Sequence, residues 1–403
     1  MQTILWEWIN FALRWTHVIA GIAWIGSSFY FVHLDSSLKK RPGLPEGAGG
    51  EAWQVHGGGF YNMVKYLVAP ERMPEDLTWF KWEAYATWLS GMALLCVLYY
   101  AGASIYMIDP LTLNLSPWAA VAISIALLAV GWLAYNALCR SPLGKNDVTL
   151  GAVGYVFLVF LAWLSTMIFS GRGAYMQMGA LIGTMMVANV AMVIIPNQRK
   201  VVKALIAGET PDPRLGAEAK QRSMHNNYLT LPVLFVMIAN HYPLSFASRW
   251  NWVILAIVLV VGAVIRHFYN TRHKGLPSPW WTWGVAVAGM LVVVFLSMAG
   301  PSHAERAAAT PAQPATFADV SAIVTSHCSM CHAQEPLQPG IGEPPKGIVL
   351  DTPEAVRLNA REVYLAAAAT DFMPPAGVAD IPPLEAEDRG AIASWFNAGA
   401  PGE

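Results

Sequence analysis

The sequence predicts an all-α protein, in which a polytopic membrane helix bundle of about eight spans is followed by a small helical domain. Of the 403 residues, 55% are apolar and only 13% are charged, a composition typical of membrane proteins. Apolar stretches near the roughly 20 residues that cross a bilayer recur through the first three quarters of the chain. The last quarter is more polar and carries a compact cysteine–histidine motif.

Eight apolar stretches are predicted to span the membrane. They cover residues 6–33, 84–107, 117–138, 150–170, 174–196, 226–242, 248–270 and 280–300. The first lacks a preceding basic segment and is too long for a cleavable signal peptide, so we expect it to remain as a helix.

Lysine and arginine are concentrated in alternate loops, which predicts the orientation. The basic loops hold Lys39, Lys40, Arg41, Lys65, Arg72, Lys81, Arg140, Lys145, Arg199, Lys200, Lys203, Arg214, Lys220, Arg222, Arg266, Arg272 and Lys274. The other loops hold only Arg172 and Arg249. By the positive-inside rule the basic loops are cytoplasmic, so both termini face outward. We therefore expect a multi-pass protein of a bacterial inner membrane with its C-terminal domain in the periplasm.

The composition changes after residue 300. Residues 301–316 form an Ala/Pro-rich linker between residues 1–300 and a C-terminal domain over 317–403. Helices are expected from the start of that domain to the cysteine motif, over 353–368 and over 385–397. With four basic and twelve acidic residues its net charge is 4 − 12 = −8. Such a surface favours a basic redox partner or the domain's own membrane part, or it simply maintains solubility.

The run Cys328-Ser329-Met330-Cys331-His332 is the attachment signature of c-type haem. Two thiols three residues apart can form thioethers to both vinyl groups, and the following imidazole then lies under the iron. A redox or zinc CxxC pair would need further ligands, but the other cysteines, Cys96 and Cys139, lie in apolar segments. Met373 is the only methionine after His332, and its Met-Pro-Pro loop resembles the ligand loop of class I cytochromes c. We therefore predict a small class I cytochrome c domain with His332 and Met373 as axial ligands.

Several ionisable side chains fall within or beside the predicted spans, where they are costly and usually functional. His17 lies near the middle of the first span. Further candidate ligands for substrate or for a membrane haem b are His33, His225, His241, Arg266 and His267. Two pairs of histidines are sixteen residues apart, which places the imidazoles about 160° apart around a helix and hinders binding of one shared partner. Hydrogen-bonded interfacial residues are the alternative. One haem c accepts one electron at a time, which motivates a second redox centre without requiring it.

The segment over residues 34–83 is long for a loop of a helix bundle, and long loops often carry function. His56 precedes three glycines, and Lys65 and several aromatic residues follow. These residues could approach and stack on a flat anion. The alternative is a membrane-surface loop with interfacial aromatics and a flexible glycine turn. Because no strand is predicted before the glycines, a phosphate-binding loop is not expected.

Three N-terminal motifs and the C-terminal haem motif together resemble one family. The motifs are Trp15-Thr16-His17-Val18-Ile19-Ala20-Gly21-Ile22-Ala23-Trp24-Ile25-Gly26-Ser27-Ser28-Phe29, Trp53-Gln54-Val55-His56-Gly57-Gly58-Gly59-Phe60-Tyr61 and Trp79-Phe80-Lys81-Trp82-Glu83-Ala84-Tyr85. They resemble bacterial membrane-bound urate oxidase (urate hydroxylase) fused to a C-terminal cytochrome c. The resemblance implies an oxidoreductase of purine catabolism that hydroxylates urate to 5-hydroxyisourate with oxygen from water. It also implies that electrons leave through haem c to a periplasmic cytochrome c or terminal oxidase, not directly to O2.

Urate is a monoanion at neutral pH, so its site needs a cation, amide-like partners and a general base. Lys65 or Arg266 could hold the anion, and His56 or His17 could act as the base; Arg172, Asn189, His33 and His225 complete the set of candidates. Urate and membrane lipid are the expected partners, and nucleic acid is not. Two other functions fit the same pattern: a quinol or other membrane donor:cytochrome c electron relay, and a redox-sensing transporter.

Overall fold

In the computed structural model the chain is mostly helical. The structure describes residues 2–68, 70, 74–298, 315–339, 341–376, 378 and 381–402. The predicted linker over 301–316 therefore lies almost entirely outside the described residues. Two bodies of packed helices are present, one before this gap and one after it.

The N-terminal helices form a bundle. Its elements are α1 (Gln2–Ser37), α2 (Trp82–Leu94), α3 (Ala103–Tyr106), α4 (Pro117–Arg140), α5 (Asp147–Ile168), α6 (Gly171–Ala188), α7 (Ile195–Ile206), α8 (Pro213–Ala239), α9 (Pro243–Phe246), α10 (Asn251–His273) and α11 (Trp281–Ser297). A π-helical turn over Leu95–Tyr100 extends α2, and another over Asn189–Ile194 joins α6 to α7. Helix α6 lies at the centre, because it packs against α2, α4, α5 and α8 and is the most buried of the long apolar helices.

Within the described ranges, five helices are long and apolar enough to cross a membrane, which is compatible with a membrane protein. They are Ile4–Ser37, Pro117–Arg140, Asp147–Ile168, Gly171–Ile206 and Asn251–His273, and the apolar Trp281–Ser297 is shorter. The other two predicted spans also fall on helical segments. The stretch over 84–107 is divided among α2, a π-turn and α3, and the stretch over 226–242 occupies the second half of α8, whose first half is polar.

The segment between α1 and α2 contains a β-hairpin, which the all-α prediction missed. Strands β1 (Ala48–His56) and β2 (Gly59–Tyr66) pair antiparallel, with His56 opposite Gly59. Gly57 and Gly58 form the two-residue turn with positive φ values of 58° and 79°, as a hairpin of this kind requires. The glycine run therefore follows a strand, contrary to the expectation, but it leads into a second strand and not into a helix.

The C-terminal body has its own apolar core. It contains α12 (Phe317–His332), α13 (Pro353–Leu358), α14 (Ala360–Val363) with a π-turn over Tyr364–Ala368, and α15 (Ala386–Asn397). Trp395 is completely buried at its centre, stacks on Phe317 and donates a hydrogen bond from its indole nitrogen to the carbonyl of Pro401. Helices thus occur where the sequence predicts them, although the predicted helix over 353–368 is broken into three short pieces.

Candidate functional site

The cysteine–histidine motif lies in the last turns of α12. His332 is the final residue of that helix, and its Nδ1 is 2.9 Å from the carbonyl oxygen of Ile348. A carbonyl only accepts hydrogen bonds, so Nδ1 carries the proton and Nε2 keeps its lone pair. Burial lowers the pKa of His332, which favours the neutral imidazole. Burial, with Cys331 nearby, raises the pKa of the Cys328 thiol to about 12.

The Met373 loop is held by backbone hydrogen bonds and by one arginine. The amide of Met373 donates to the carbonyl of Ala366 over 2.8 Å. Arg389 Nη1 donates to the carbonyl of Ala367, to that of Thr370 at 3.2 Å and to that of Met373 at 3.4 Å. Two thiols three residues apart, an imidazole with a free Nε2 and an anchored thioether make a donor set that fits a covalently attached haem.

The residue before Met373 contacts the bundle. The Phe372 ring lies 5.2 Å from that of Phe246 on α9, edge to face. The guanidinium of Arg172, at the start of α6, lies 5.8 Å from the Phe372 ring and 4.6 Å from the Tyr106 ring. Arg172 also donates to Asn240, which accepts from the hydroxyl of Tyr99 over 2.6 Å. The Met373 loop therefore lies against an aromatic end of the bundle.

His17 contributes to the contact between α1 and α2. Its Nδ1 is 3.0 Å from the carbonyl oxygen of Thr87 and 3.1 Å from Ser90 Oγ. The imidazole lies against Gly91, where an added Cβ would be 2.9 Å from His17 Cε1. Donation to the Thr87 carbonyl leaves Nε2 unprotonated and available to a proton or a metal.

The candidates on the hairpin lie at its surface. His56 is exposed beside the glycine turn. Lys65 Nζ forms an ion pair with Asp35 at 2.8 Å, and the two side chains are 47% and 48% exposed. A solvated, paired lysine attracts an anion less strongly than an unpaired buried cation does. The structure thus separates His56 and Lys65 from His17, and it brings none of these three together.

A network of polar side chains surrounds Arg222 on α8. Arg222 donates to Asn189 at 3.1 Å and to Asn136 at 2.8 Å. Asn189 donates to Asn226 and to the Tyr135 hydroxyl, which is 2.7 Å from His225 Nδ1. Asn226 in turn donates to the Met186 carbonyl. We call these residues the Arg222 network.

A second polar group, which we call the Arg266 cluster, lies between α1, α8 and α10. Its members are Phe29, His33, Asn227, Arg266, Asn270 and His273. Arg266 Nε donates to Asn227 Oδ1 at 3.2 Å, and Nη2 donates to Asn270 Oδ1 at 3.1 Å. The guanidinium carbon lies 3.8 Å from the centre of the Phe29 ring. The His33 and His273 rings are 4.4 Å apart, edge to face.

The sequence predicts roles for Arg266 and His33 but not for Asn227, Asn270 and His273. Arg266 and Asn270 are four residues apart, so they lie on one face of α10, and this spacing was the available signal. The remaining histidines are at other places. His241 is exposed in the turn after α8, and His267 is exposed with Nδ1 3.4 Å from the Tyr228 hydroxyl.

Comparison with known proteins adds one finding. No curated protein and no solved structure matches the chain. The family model described as Urate oxidase N-terminal matches residues 3–297, which contain the whole bundle and the hairpin but not the C-terminal body. Because this match covers well over half of the 403 residues, the chain belongs to the Urate oxidase N-terminal family.

Proposed function

We propose that the bundle oxidises urate to 5-hydroxyisourate and that the electrons leave through a haem c in the C-terminal body. The family indicates a urate-oxidising oxidoreductase. In the proposed reaction water forms a bond to urate carbon 5, and two protons and two electrons leave. The proposal includes eight spans, a bacterial inner membrane and a periplasmic cytochrome c domain.

The structural observation that carries the electron route is the position of Phe372. Phe372 immediately precedes Met373, and its ring packs 5.2 Å from that of Phe246 of the bundle. A haem held by Cys328, Cys331, His332 and Met373 would accept one electron at a time. The predicted ligand loop is therefore in contact with the bundle, which matches the urate oxidase family. A first electron transfer between these two parts of one chain would not need a diffusing carrier.

The candidate residues for urate binding and for proton transfer differ in how deeply they are buried. Arg266 is buried, whereas Lys65 is solvated and paired, so we assign the urate anion to Arg266. His17 has an Nε2 that can accept a proton or bind a metal, which keeps it as a candidate base or a ligand of a membrane haem b. A pyridine haemochrome assay on the purified protein gives the ratio of haem b to haem c and so tests the second cofactor.

The first experiment mixes the purified holoprotein with urate in the absence of O2 and records the haem spectrum by stopped flow. We expect the spectrum of reduced haem c, about two haems reduced per urate consumed, and no hydrogen peroxide when O2 is readmitted with an external acceptor. A Cys328→Ser/Cys331→Ser variant, which lacks both attachment thiols, is the control. If urate leaves the haem c of the wild-type protein oxidised, the proposed electron route is wrong.

A further inference from the structure

We infer that the Arg266 cluster is a binding site for the planar anion of a purine. This inference rests on the proposed function, because it specifies where the substrate of that reaction is held. Three observations support it: an uncompensated buried charge, polar atoms without partners, and a comparison with the neighbouring Arg222 network.

The charge of Arg266 has no counterion among the described residues. Its side chain is only 6% exposed, and it donates to the amide oxygens of Asn227 and Asn270, which are neutral. Among the described residues no carboxylate forms an ion pair with it. A buried cation is costly unless it is paired, so this position favours a ligand that brings a negative charge.

Several polar atoms of the cluster have no hydrogen-bond partner in the described part of the chain. Asn227 is completely buried, and its Nδ2 makes no hydrogen bond. The Nδ1 atoms of His33 and His273 are also buried and unpaired. Buried polar groups in proteins are almost always paired, so three such atoms beside one arginine indicate an absent ligand. Amide and imidazole groups suit the alternating N–H and C=O edge of an oxidised purine.

The cluster also contains an aromatic face. Phe29 stacks on the Arg266 guanidinium at 3.8 Å and holds its plane. The hydrogen bonds of Arg266 leave from Nε and Nη2, and Nη1 makes none within the described chain. A fixed guanidinium with a free edge recognises a flat anion through parallel hydrogen bonds, which lysine cannot provide.

The Arg222 network offers a comparison within the same bundle. Arg222 is 3% exposed and also lacks an ion pair among the described residues. However, no polar atom of Arg222, Asn136, Asn189 or Asn226 is both buried and unpaired. A fully satisfied network makes the protein more rigid and does not need a ligand. The unpaired atoms therefore distinguish the Arg266 cluster from its neighbour.

The decisive variant is Asn227→Asp. It leaves Oδ1 in place and replaces the unpaired Nδ2 by an oxygen, so it supplies Arg266 with a carboxylate without breaking a hydrogen bond seen in the structure. The matched control is Asn136→Asp, which places a carboxylate on Arg222 through the oxygen that already accepts its hydrogen bond. Both variants add one negative charge next to one buried arginine, and only the first should displace the purine anion.

The measurement is equilibrium dialysis of radiolabelled urate against the detergent-solubilised holoprotein, kept reduced with dithionite under argon so that urate is not consumed. We expect Asn227→Asp to raise the Kd for urate by at least about tenfold, because it replaces a charge-assisted contact to the ligand. Asn136→Asp should change the Kd by less than about threefold. The haem content and reduced spectrum of each variant report whether it is folded. If Asn227→Asp does not accumulate, Asn270→Asp places a carboxylate on the same guanidinium and is held to the same limit.

Two results would overturn the inference: a Kd for Asn227→Asp within about threefold of the wild-type value, or an equal loss in Asn136→Asp. The first would mean that water satisfies the unpaired atoms, and the second that added charge weakens binding from anywhere in the bundle. Neither result contradicts the proposed function, because the proposed function is tested separately by anaerobic reduction of haem c by urate in the wild-type protein.

Discussion

His332 and Met373 are held in place by different interactions. His332 ends α12 and is oriented by one hydrogen bond from Nδ1 to the Ile348 carbonyl. Met373 lies in a loop with no regular structure, where Arg389 donates to three carbonyls. Burial lowers the pKa of Arg389, and nearby carboxylates oppose that effect. The loop therefore depends on a side chain sixteen residues away from Met373, the predicted ligand.

The first prediction concerns Met373 as the sixth ligand of the haem iron. Replacing Met373 by His exchanges a thioether for a stronger donor, and thioether ligation is what raises the potential of class I cytochromes. We expect Met373→His to lower the midpoint potential by roughly 0.2 V, part of the roughly 0.8 V that axial ligands span. Spectroelectrochemical titration measures it. Met330→Leu, which changes a methionine within the attachment motif, is the control and should leave the potential nearly unchanged; an unaltered potential in Met373→His would exclude Met373 as a ligand.

A second residue-scale prediction concerns the surface histidine of the hairpin and its lysine. His56 is exposed, and Lys65 is paired with Asp35 in solvent. Surface ion pairs of this kind contribute roughly 0–1 kcal/mol. We therefore expect His56→Ala and Lys65→Ala to change kcat/KM for urate by less than about fivefold, as measured by haem c reduction. A decrease in kcat/KM of a hundredfold or more in either variant would show that the hairpin takes part in catalysis.

At the scale of elements, α1 and α2 meet through small residues and one histidine. The sequence predicts that Gly21 and Gly26 allow another helix or a flat cofactor to come close. An added Cβ at Gly21 would be 4.0 Å from a Thr87 methyl group, and one at Gly26 would meet nothing within 4 Å. The tight position is instead Gly91 on α2, opposite His17. The close approach thus occurs at Gly91 on α2, and the apolar pattern of the sequence does not single out this glycine.

This contact leads to a prediction about stability. Gly91→Val places two methyl groups where even a Cβ would lie 2.9 Å from the His17 ring, and overpacking of this kind costs about 1–3 kcal/mol. We expect a lower thermal unfolding midpoint in detergent, monitored by circular dichroism, and a displaced His17. Gly26→Ala adds a methyl group in open space on α1 and should leave the midpoint unchanged or slightly raised. Equal midpoints for Gly91→Val and the wild type would show that α1 and α2 do not pack in this way.

The β-hairpin shows why an element can be missed although its signal is present. Residues 53–56 alternate aromatic or apolar with polar side chains, and a Gly-Gly pair follows at once, which is a recognised hairpin signal. The surrounding apolar spans and the length of the segment favoured an irregular loop. Register is set by the two-residue turn, and the two glycines adopt the positive φ values that it needs.

At the scale of the whole molecule, the question is how the C-terminal body lies on the bundle. Its net charge is −8, the end of the bundle beside it presents Arg172, and Phe372 contacts both that arginine and Phe246. Lys346 of the same body also comes near Arg172; burial, and then this positive neighbour, lower the pKa of Lys346. The aromatic contact of Phe372 with Phe246 is therefore the main contact that we assign between the C-terminal body and the bundle, and attraction between their net charges adds to it.

The corresponding prediction is that Phe372→Ala weakens the docked arrangement. Loss of an aromatic anchor costs roughly 1–2 kcal/mol, which reduces the docked fraction about tenfold. We expect urate-driven haem reduction to slow by about this factor, while the midpoint potential and the affinity for urate stay the same. Leu337→Ala, on a side chain of the same body that is 75% exposed, is the control and should not change the rate. An unchanged rate in Phe372→Ala would place the electron route elsewhere.

The sequence by itself determined the largely helical class and the apolar segments, because these depend on local composition. It predicts a haem attachment motif and the single methionine that can complete it from spacing along the chain. Only the tertiary structure decided that both Arg222 and Arg266 are buried, and that an amide nitrogen without a partner lies beside Arg266 alone of these two. Arg222 and Arg266 both lie on the side of the basic loops in the predicted arrangement, and the sequence does not show which of them has neighbours with complete hydrogen bonding. Whether a hydrogen bond is completed depends on residues from α1, α8 and α10, which are distant in sequence, so only packing of the helices could reveal it.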